Sequence, residues 1–446
     1  MVLEVKSLTI LKDCLAILEE SFSDLPAFEP EVDVSAMLTV LADTARRMQN
    51  NYPYAHPLYA GQMLKPPHSI ARLAYMLAMW VNPNNHALDG SRASSPMEQE
   101  AVANIATLFG WADKHLGHLT SGGTMANLEA LWVADNLHPG KKIVASEQAH
   151  YTHSRITSVL KIPYQSVAVD SQARMDLSAL ETLLKTGEIG TVVVTLGTTG
   201  LGSVDPLDQV VALQKSYPFR IHVDAAYGGY FRLAGNLGQQ TSMAFAAMQE
   251  ADSIVVDPHK CGLQPYGCGC ILFKDPAVGK VYNHESPYTY FSSDELHLGE
   301  ISLECSRAGA SAVALWATQQ LLPMEAGGLF ARGIEQSHLA ALQFHQQVVE
   351  DVEELGIITP ELDIVVWAPA ASKASEISRL SLKAFEAAAD KGLHLAVMTL
   401  PASLLQQHWP KVEFDHDTVS CLRTCLMKPE HLDWVERIWA IYKSVR

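Results

Sequence analysis

The chain has 446 residues, 48% of them apolar and 18% charged, a globular rather than disordered composition, and at roughly 150 residues per domain it predicts two or three domains. Its net charge of −17 leaves no basic surplus to neutralise phosphates. That excludes a general nucleic-acid or anionic-membrane binder, though not a local basic pocket.

The start, Met1-Val2-Leu3-Glu4-Val5-Lys6, lacks the basic region and apolar core of a signal peptide. No uninterrupted apolar stretch approaches the ~18 residues of a membrane span. The seven cysteines are few for this length and odd in number, which predicts free thiols in a reducing cytoplasm rather than a disulfide framework.

Leu8, Leu11, Leu15, Leu18 and Phe22 fall at helical spacing and predict an amphipathic first helix over 8–22. Residues 23–95 are rich in Pro, Asn and His, with one helical section near 69–81. Ser95-Pro96-Met97-Glu98 reads as a helix start, with Ser95 as N-cap, Pro96 in the first turn and Glu98 completing a capping box. That helix is expected to run to Phe109, with Gly110 beyond its end.

Between 118 and 275, short apolar strands alternate with helical patterns. The strands fall near 143–146, 166–169, 191–196, 220–224, 253–256 and 270–273. The helices fall near 125–137, 152–160, 176–186, 207–216 and 241–249. This alternation predicts an α/β fold, a mostly parallel sheet with helices on both faces. Residues 308–350 read as largely helical. Strand-like 362–368, a helix near 373–391, strands near 393–400 and 419–426, and a final helix from 429 predict a small C-terminal α+β domain. The expected division is an N-terminal helical segment over 1–60, a large domain over 61–330 and a small domain over 331–446.

Four stretches carry candidate chemistry. Leu119-Thr120-Ser121-Gly122-Gly123-Thr124-Met125-Ala126-Asn127 leads into a helix, whose free N–H groups and dipole suit a phosphate. A plain helix cap is the alternative. The stretch lacks the Gly-Lys-Ser/Thr ending of an ATP-binding loop. His150 follows a predicted strand, as catalytic or as core histidine. Asp224 ends the strand Arg220-Ile221-His222-Val223-Asp224, as metal ligand, helix cap or partner of a cofactor cation. Asp257-Pro258-His259-Lys260 follows the apolar run Ser253-Ile254-Val255-Val256 and precedes a glycine-rich turn. A lysine there is well placed to form a Schiff base with a carbonyl cofactor. Cys261, Cys268 and Cys270 match no common zinc spacing, so no metal is expected. Ligands of such sheets sit beyond the carboxyl ends of the strands, where Asp224 and Lys260 can converge.

A phosphate cradle, a planar stacking residue, a carboxylate for a ring nitrogen and a Schiff-base lysine, in that order, are the needs of pyridoxal 5′-phosphate (PLP). The chain resembles the PLP-dependent decarboxylases of aspartate-aminotransferase fold type, the group that includes glutamate and aromatic amino-acid decarboxylases. The matching motifs are Thr-Ser-Gly-Gly-Thr-Met-Ala-Asn (120–127), Ala-His-Tyr (149–151), Gly-Thr-Thr (197–199) with Gly202 and Asp205, His-Val-Asp-Ala-Ala-Tyr-Gly-Gly (222–229) and Asp-Pro-His-Lys (257–260). Leu422-Arg423 with Pro429 is similar to the family's late strand-to-helix segment. The resemblance spans roughly residues 50 to 440.

The resemblance implies that Lys260 holds PLP, that His259, Gly123 and Thr124 bind its phosphate, and that His150 stacks on the ring. It implies Asp224 at the ring nitrogen, Ala226 beneath the ring, and Thr199 close by, with Thr198 as the competing choice. Tyr290, or else Tyr288, would protonate the α-carbon, a packed aromatic loop being the alternative. Gln62 and Lys65 could contact a polar substrate side chain. Arg307 could face a partner subunit or a phosphate. Cys261, where many relatives have Trp, is more like the archaeal tyrosine/aspartate decarboxylases and the sphingosine-phosphate lyases.

The reading is thus a cytoplasmic homodimer with its site at the subunit interface, decarboxylating an L-amino acid, with aspartate or glutamate first and an aromatic amino acid second. No nucleic acid or membrane is expected as a partner. A carbon–carbon lyase and a catalytically silent binding protein are the alternatives.

Overall fold

A computed structural model describes residues 5–26, 28, 31–282 and 297–446. Seven strands build the main sheet: β1 (Leu116–Thr120), β2 (Lys142–Ser146), β3 (Tyr164–Val167), β4 (Ile189–Thr195), β5 (Arg220–Asp224), β6 (Ser253–Val256) and β7 (Gly269–Phe273). Their spatial order is β1-β7-β6-β5-β4-β2-β3. The pairs from β3 through β6 are parallel, while β7 is antiparallel to both β6 and β1. Two reversals cancel, so β1 runs in the same direction as β6. The carboxyl ends of β1, β2, β4, β5 and β6 therefore share one edge.

The helices preceding and wrapping this sheet are α1 (Val5–Glu20), α2 (Val34–Met48), α3 (Ser69–Met79), α4 (Ser94–Leu108), α5 (Gly123–Leu137), α6 (Thr152–Leu160), α7 (Leu177–Leu184), α8 (Leu207–Leu213) and α9 (Gln239–Ala246). Strand β4 shows why the sheet is covered twice. All seven of its residues are buried, with Val192 and Val194 in one core cluster and Val193 in another. Successive side chains point to opposite faces, so an unbroken apolar strand needs helices on both. Helices α5 and α6 cover one face; α4, α7, α8 and α9 cover the other.

After α10 (Gly309–Leu321) and α11 (Leu329–Glu350) comes a second sheet of β8 (Glu354–Gly356), β9 (Ile364–Pro369), β10 (Ala396–Pro401) and β11 (Thr418–Cys425), antiparallel throughout in the order β10-β11-β9-β8. Helices α12 (Ala374–Asp390), α13 (Ala402–Leu405) and α14 (His431–Lys443) complete it. Its core is aromatic. Trp367 on β9 meets Phe344 of α11 at 4.9 Å and Tyr442 of α14 at 5.4 Å between ring centroids, spacings at which edge-on rings attract beyond their burial.

The alternating pattern expected between 118 and 275 is present, and so is the small α+β unit. Besides the one-turn helix α13, three elements were not expected. Helix α2 carries Val34, Met37, Leu38, Leu41 and Met48 on one stripe behind the N-cap Asp33, whose side chain accepts from the Ala36 N–H at 2.9 Å; its Pro- and Asn-rich flanks hid it. Strands β1 and β8 are short, and β1 contains Gly117 and His118. The capping box at Ser95 and Glu98 is corrected. Helix α4 starts at Ser94, and Glu98 is buried, accepting from the Leu119 N–H at 3.0 Å and from Arg307 at 2.8 Å. A carboxylate that anchors strand β1 and a guanidinium cannot also cap its own helix.

Candidate active site

The carboxyl edge of the main sheet holds a cavity of about 320 Å³, with Gly123, Thr124, His150, Thr199, Asp224, Ala226, His259 and Lys260 all in its lining. They come from the ends of five strands, which is how residues far apart in sequence meet.

Its floor is the start of α5. The N–H groups of Gly123, Thr124 and Met125 have no acceptor among the described residues, as expected of a first helical turn. Gly123 is demanded by space: a Cβ there would lie 2.7 Å from Asp257 Oδ2. Gly269 is demanded likewise, its Cβ falling 2.6 Å from the Gly122 carbonyl carbon. The turn is held from below. Asn127 donates to the Gly123 carbonyl at 2.9 Å, and His222 Nε2 donates to Asn127 Oδ1 at 2.8 Å. Burial pushes His222 down to about 3, so this bridge is neutral.

Asp224 is buried at the end of β5. Its Oδ2 is 2.8 Å from His153 Nε2 and its Oδ1 accepts from the Ala226 N–H at 3.1 Å. Burial works against its charge, but His153, the Lys260 ammonium and that N–H outweigh burial and hold the carboxyl well below the usual range. The site therefore keeps a permanent carboxylate, able to stabilise a protonated ring nitrogen.

Lys260 Nζ lies 3.1 Å from Asp257 Oδ2. Burial opposes its charge, yet Asp257 and Asp224 prevail and raise its pKa. Asp257 Oδ1 and Thr195 Oγ1 border the cavity, buried and without partners among the described residues. His259 Nδ1 is 2.8 Å from the Cys268 carbonyl, and burial keeps the ring towards its neutral form. His150 Nδ1 accepts from the Thr152 N–H at 3.2 Å, so its neutral ring carries the proton on Nε2. Burial lowers that pKa too, which suits a ring meant to stack rather than to carry charge.

The cavity separates the two threonine candidates. Thr199 lines it, whereas Thr198 is buried with Oγ1 accepting from the Ser203 N–H at 3.0 Å. Asp205, part of the same motif, bridges the N–H groups of Met175 and Thr195, each at 2.8 Å. Gln62 stands exposed outside the lining, and Lys65 donates to the Met427 carbonyl at 3.2 Å. Arg307 is corrected to an interior role, buried against Glu98. Tyr288 and Tyr290 lie outside the described residues.

Three contributors escaped the sequence reading. His153 sits three residues after His150, one helical turn on, and that spacing was the available signal. Asp257 opens the tetrapeptide that ends in Lys260. Arg423 on β11 was seen as a motif residue only; its guanidinium donates to the carbonyls of Thr199 at 2.7 Å, Gly200 at 3.0 Å and Gly61 at 3.2 Å.

Comparison with known proteins places this site in a class. The family profile described as "Pyridoxal-dependent decarboxylase conserved domain" matches residues 33–367, and the chain belongs to that family. It is 28% identical over 441 residues to an L-tyrosine decarboxylase of Enterococcus faecium, covering 74% of this chain and 72% of that one. It is 28% identical to a "Probable L-tyrosine/L-aspartate decarboxylase" of Methanothermobacter thermautotrophicus, covering 69% and 82% respectively. Among solved structures, Oryza sativa TDC with PLP and tryptamine superposes with a TM-score of 0.79 at 15% identity, over 100% of this chain and 99% of that one. Mouse CSAD in apo form gives 0.77 at 18% identity, over 96% and 91%. These two likenesses are of fold. The protein is a PLP-dependent amino-acid carboxy-lyase.

The residues present fit that cofactor. Unused helix N–H groups would suit a phosphate, a permanent carboxylate a pyridinium, and a primary amine an aldehyde.

Proposed function

We propose that this cavity decarboxylates an acidic L-amino acid, aspartate before glutamate, to CO₂ and the corresponding amine. An amino-acid ligand is supported by Arg423, and the choice of aspartate by the name of the archaeal relative. Arg423 is 5% exposed, and its hydrogen-bond partners are carbonyl oxygens, with no carboxylate in ion-pair contact among the described residues. It grips the main chain of Thr199, which borders the cavity. A buried guanidinium without an ion-pair partner favours a ligand that brings a carboxylate, which any amino acid does through its α-carboxylate, so Arg423 supports an amino-acid ligand and does not by itself choose the side chain. The name of the archaeal relative includes L-aspartate, in keeping with that choice. Both relatives' names include tyrosine, so an aromatic amino acid is the second reading.

Bound PLP supplies the electron sink for loss of CO₂. We assign its attachment to Lys260 and its phosphate to the N–H groups of Gly123 and Thr124 with His259. His150 is assigned to one face of the ring and Ala226 to the other, with Thr199 beside it and Asp224 at the ring nitrogen. Asp224, whose carboxyl stays ionised, would favour a proton on that nitrogen. Asp257 receives the Lys260 ammonium whenever that amine is free. Tyr290, with Tyr288 as the alternative, is the proposed proton donor to the α-carbon. Gln62 is retained as a proposed substrate contact on the family resemblance alone, since its side chain is exposed and outside the cavity lining.

The working unit in this reading is a homodimer with its sites at the subunit interface. Helix α2 supports it: none of its residues is buried, and Val34, Met37, Leu38, Leu41 and Met48 form an exposed apolar stripe that no described residue covers. Seven free cysteines support a reducing cytoplasm. The functional division is 1–60, 61–330 and 331–446.

The test is product identity. PLP-loaded protein given L-aspartate or L-tyrosine in separate reactions should form β-alanine from the first. Arg423→Gln should raise KM for whichever amino acid is the substrate about tenfold or more, the worth of a lost charge-assisted contact. Tyramine as the sole amine formed would overturn the acidic assignment.

A further inference from the structure

A second cavity, about 510 Å³ and larger than the first, lies between the segment Lys65–Arg72, the start of α11 and the turn Lys428–Glu430. The two cavities share no lining residue, yet they stand back to back: Lys260 borders one and Cys261 the other.

Three cations border this second cavity and none of them has a carboxylate within ion-pair distance among the described residues. Lys65 Nζ donates to the Met427 carbonyl at 3.2 Å. Arg72 donates to Ser69 Oγ at 3.2 Å. Lys428 is 4% exposed, donates to the Tyr59 carbonyl and lies 5.4 Å from the centre of the Tyr59 ring. Burial, followed by the charge of Lys65, lowers Lys428 to about 8. Glu430 borders the cavity too, but it is exposed and pairs with none of the three. A buried amine held by one carbonyl and an aromatic face, with a like charge beside it, is an expensive arrangement that an anion would relieve. The remaining wall is largely apolar, including Leu263, Leu329, Phe330 and Ile334. The starts of α3 and α11 reach this wall at Ser69 and at Leu329 and Phe330, and the N-cap Gly328 supplies no side-chain acceptor, so helix N–H groups add to the pull on an anion, while the apolar wall favours a carboxylate with an apolar body over a bare phosphate.

We propose that this cavity binds a small carboxylate carrying an apolar body, with the carboxylate between Lys65 and Lys428 and the body against Phe330 and Ile334. The site is distinct from the decarboxylation cavity and requires no amine on its ligand.

The test is calorimetric titration of the PLP-loaded protein with 3-phenylpropanoate, which lacks the amine needed to react with the cofactor. One molecule should bind per chain. Lys428→Met removes a buried charge and keeps the bulk; it should weaken binding about tenfold, the worth of one charge-assisted hydrogen bond. Leu329→Asp adds a carboxylate at an exposed rim position and leaves the core intact, so it keeps the test valid if the first variant folds poorly; it too should weaken binding. The neutral 3-phenylpropanol should bind more weakly than the acid. No binding, or binding of equal strength in both variants, as occupancy of the decarboxylation cavity would give, overturns the proposal.

Discussion

Lys260 and Asp257 face each other at 3.1 Å, and that contact sets how readily the cofactor is loaded. An ammonium cannot attack an aldehyde, and Asp257 helps hold the Lys260 pKa above its ordinary value. The neutral fraction therefore grows about tenfold per pH unit below that pKa. PLP loading of the apoprotein, followed by absorbance in stopped flow, should accelerate by about that factor per unit between neutral and mildly alkaline pH. Asp257→Asn should load faster at neutral pH and show the same slope ending at lower pH; identical profiles would remove Asp257 from this role. The convergence of Lys260, Asp224 and His150 on one cavity was legible in the sequence because each ends a strand or follows one, and strand ends converge. Asp257 and His153 were not, because each acts through a neighbour: one as counter-ion to Lys260, the other as a prop for Asp224. Such roles depend on side-chain direction, which spacing alone does not give. Arg423 was hidden for a further reason, since it comes from a different sheet.

At the scale of elements, the start of α5 and the stripe on α2 make opposite demands. The α5 turn must admit an anion closely. Gly123→Ala would drive a Cβ to 2.7 Å from Asp257 Oδ2, a steric conflict typically worth about 1–3 kcal/mol. Equilibrium dialysis should show PLP affinity falling roughly tenfold to a hundredfold accordingly, while an unchanged affinity would mean that the turn does not hold the phosphate. The α2 stripe, in the proposed homodimer, meets an external partner instead. Leu38→Glu combined with Leu41→Glu should convert the proposed dimer to monomers in sedimentation velocity, and a dimer of unchanged mass would place the interface elsewhere. The alternation of strands and helices over 118–275 was legible because each strand is a short apolar run bounded by turn residues. The capping box failed because Glu98 has a stronger tertiary claim, from Leu119 N–H and Arg307, and local sequence cannot rank a cap against a buried ion pair.

For the molecule as a whole, buried acids couple stability to pH. Burial pushes Asp205 up to about 7, Glu354 up to about 7 and Asp363 up to about 6. An acid protonated in the folded state and ionised in the unfolded state binds a proton on folding, so stability falls as pH rises from about 4 through those values. The net charge of −17 adds self-repulsion in the same direction. Scanning calorimetry of the apoprotein should give a Tm a few degrees higher at pH 6 than at pH 8; a flat or opposite trend would mean these carboxyls stay ionised, held by the N–H and hydroxyl groups around them. The same chain places five strand ends on one edge, and the account stands on Lys260 being the amine at their centre. The decisive measurement is CO₂ release from L-aspartate by PLP-loaded wild-type protein and by Lys260→Ala. Release by the wild type that falls by about a thousandfold or more in the variant is the predicted result, and equal release by both proteins would contradict it.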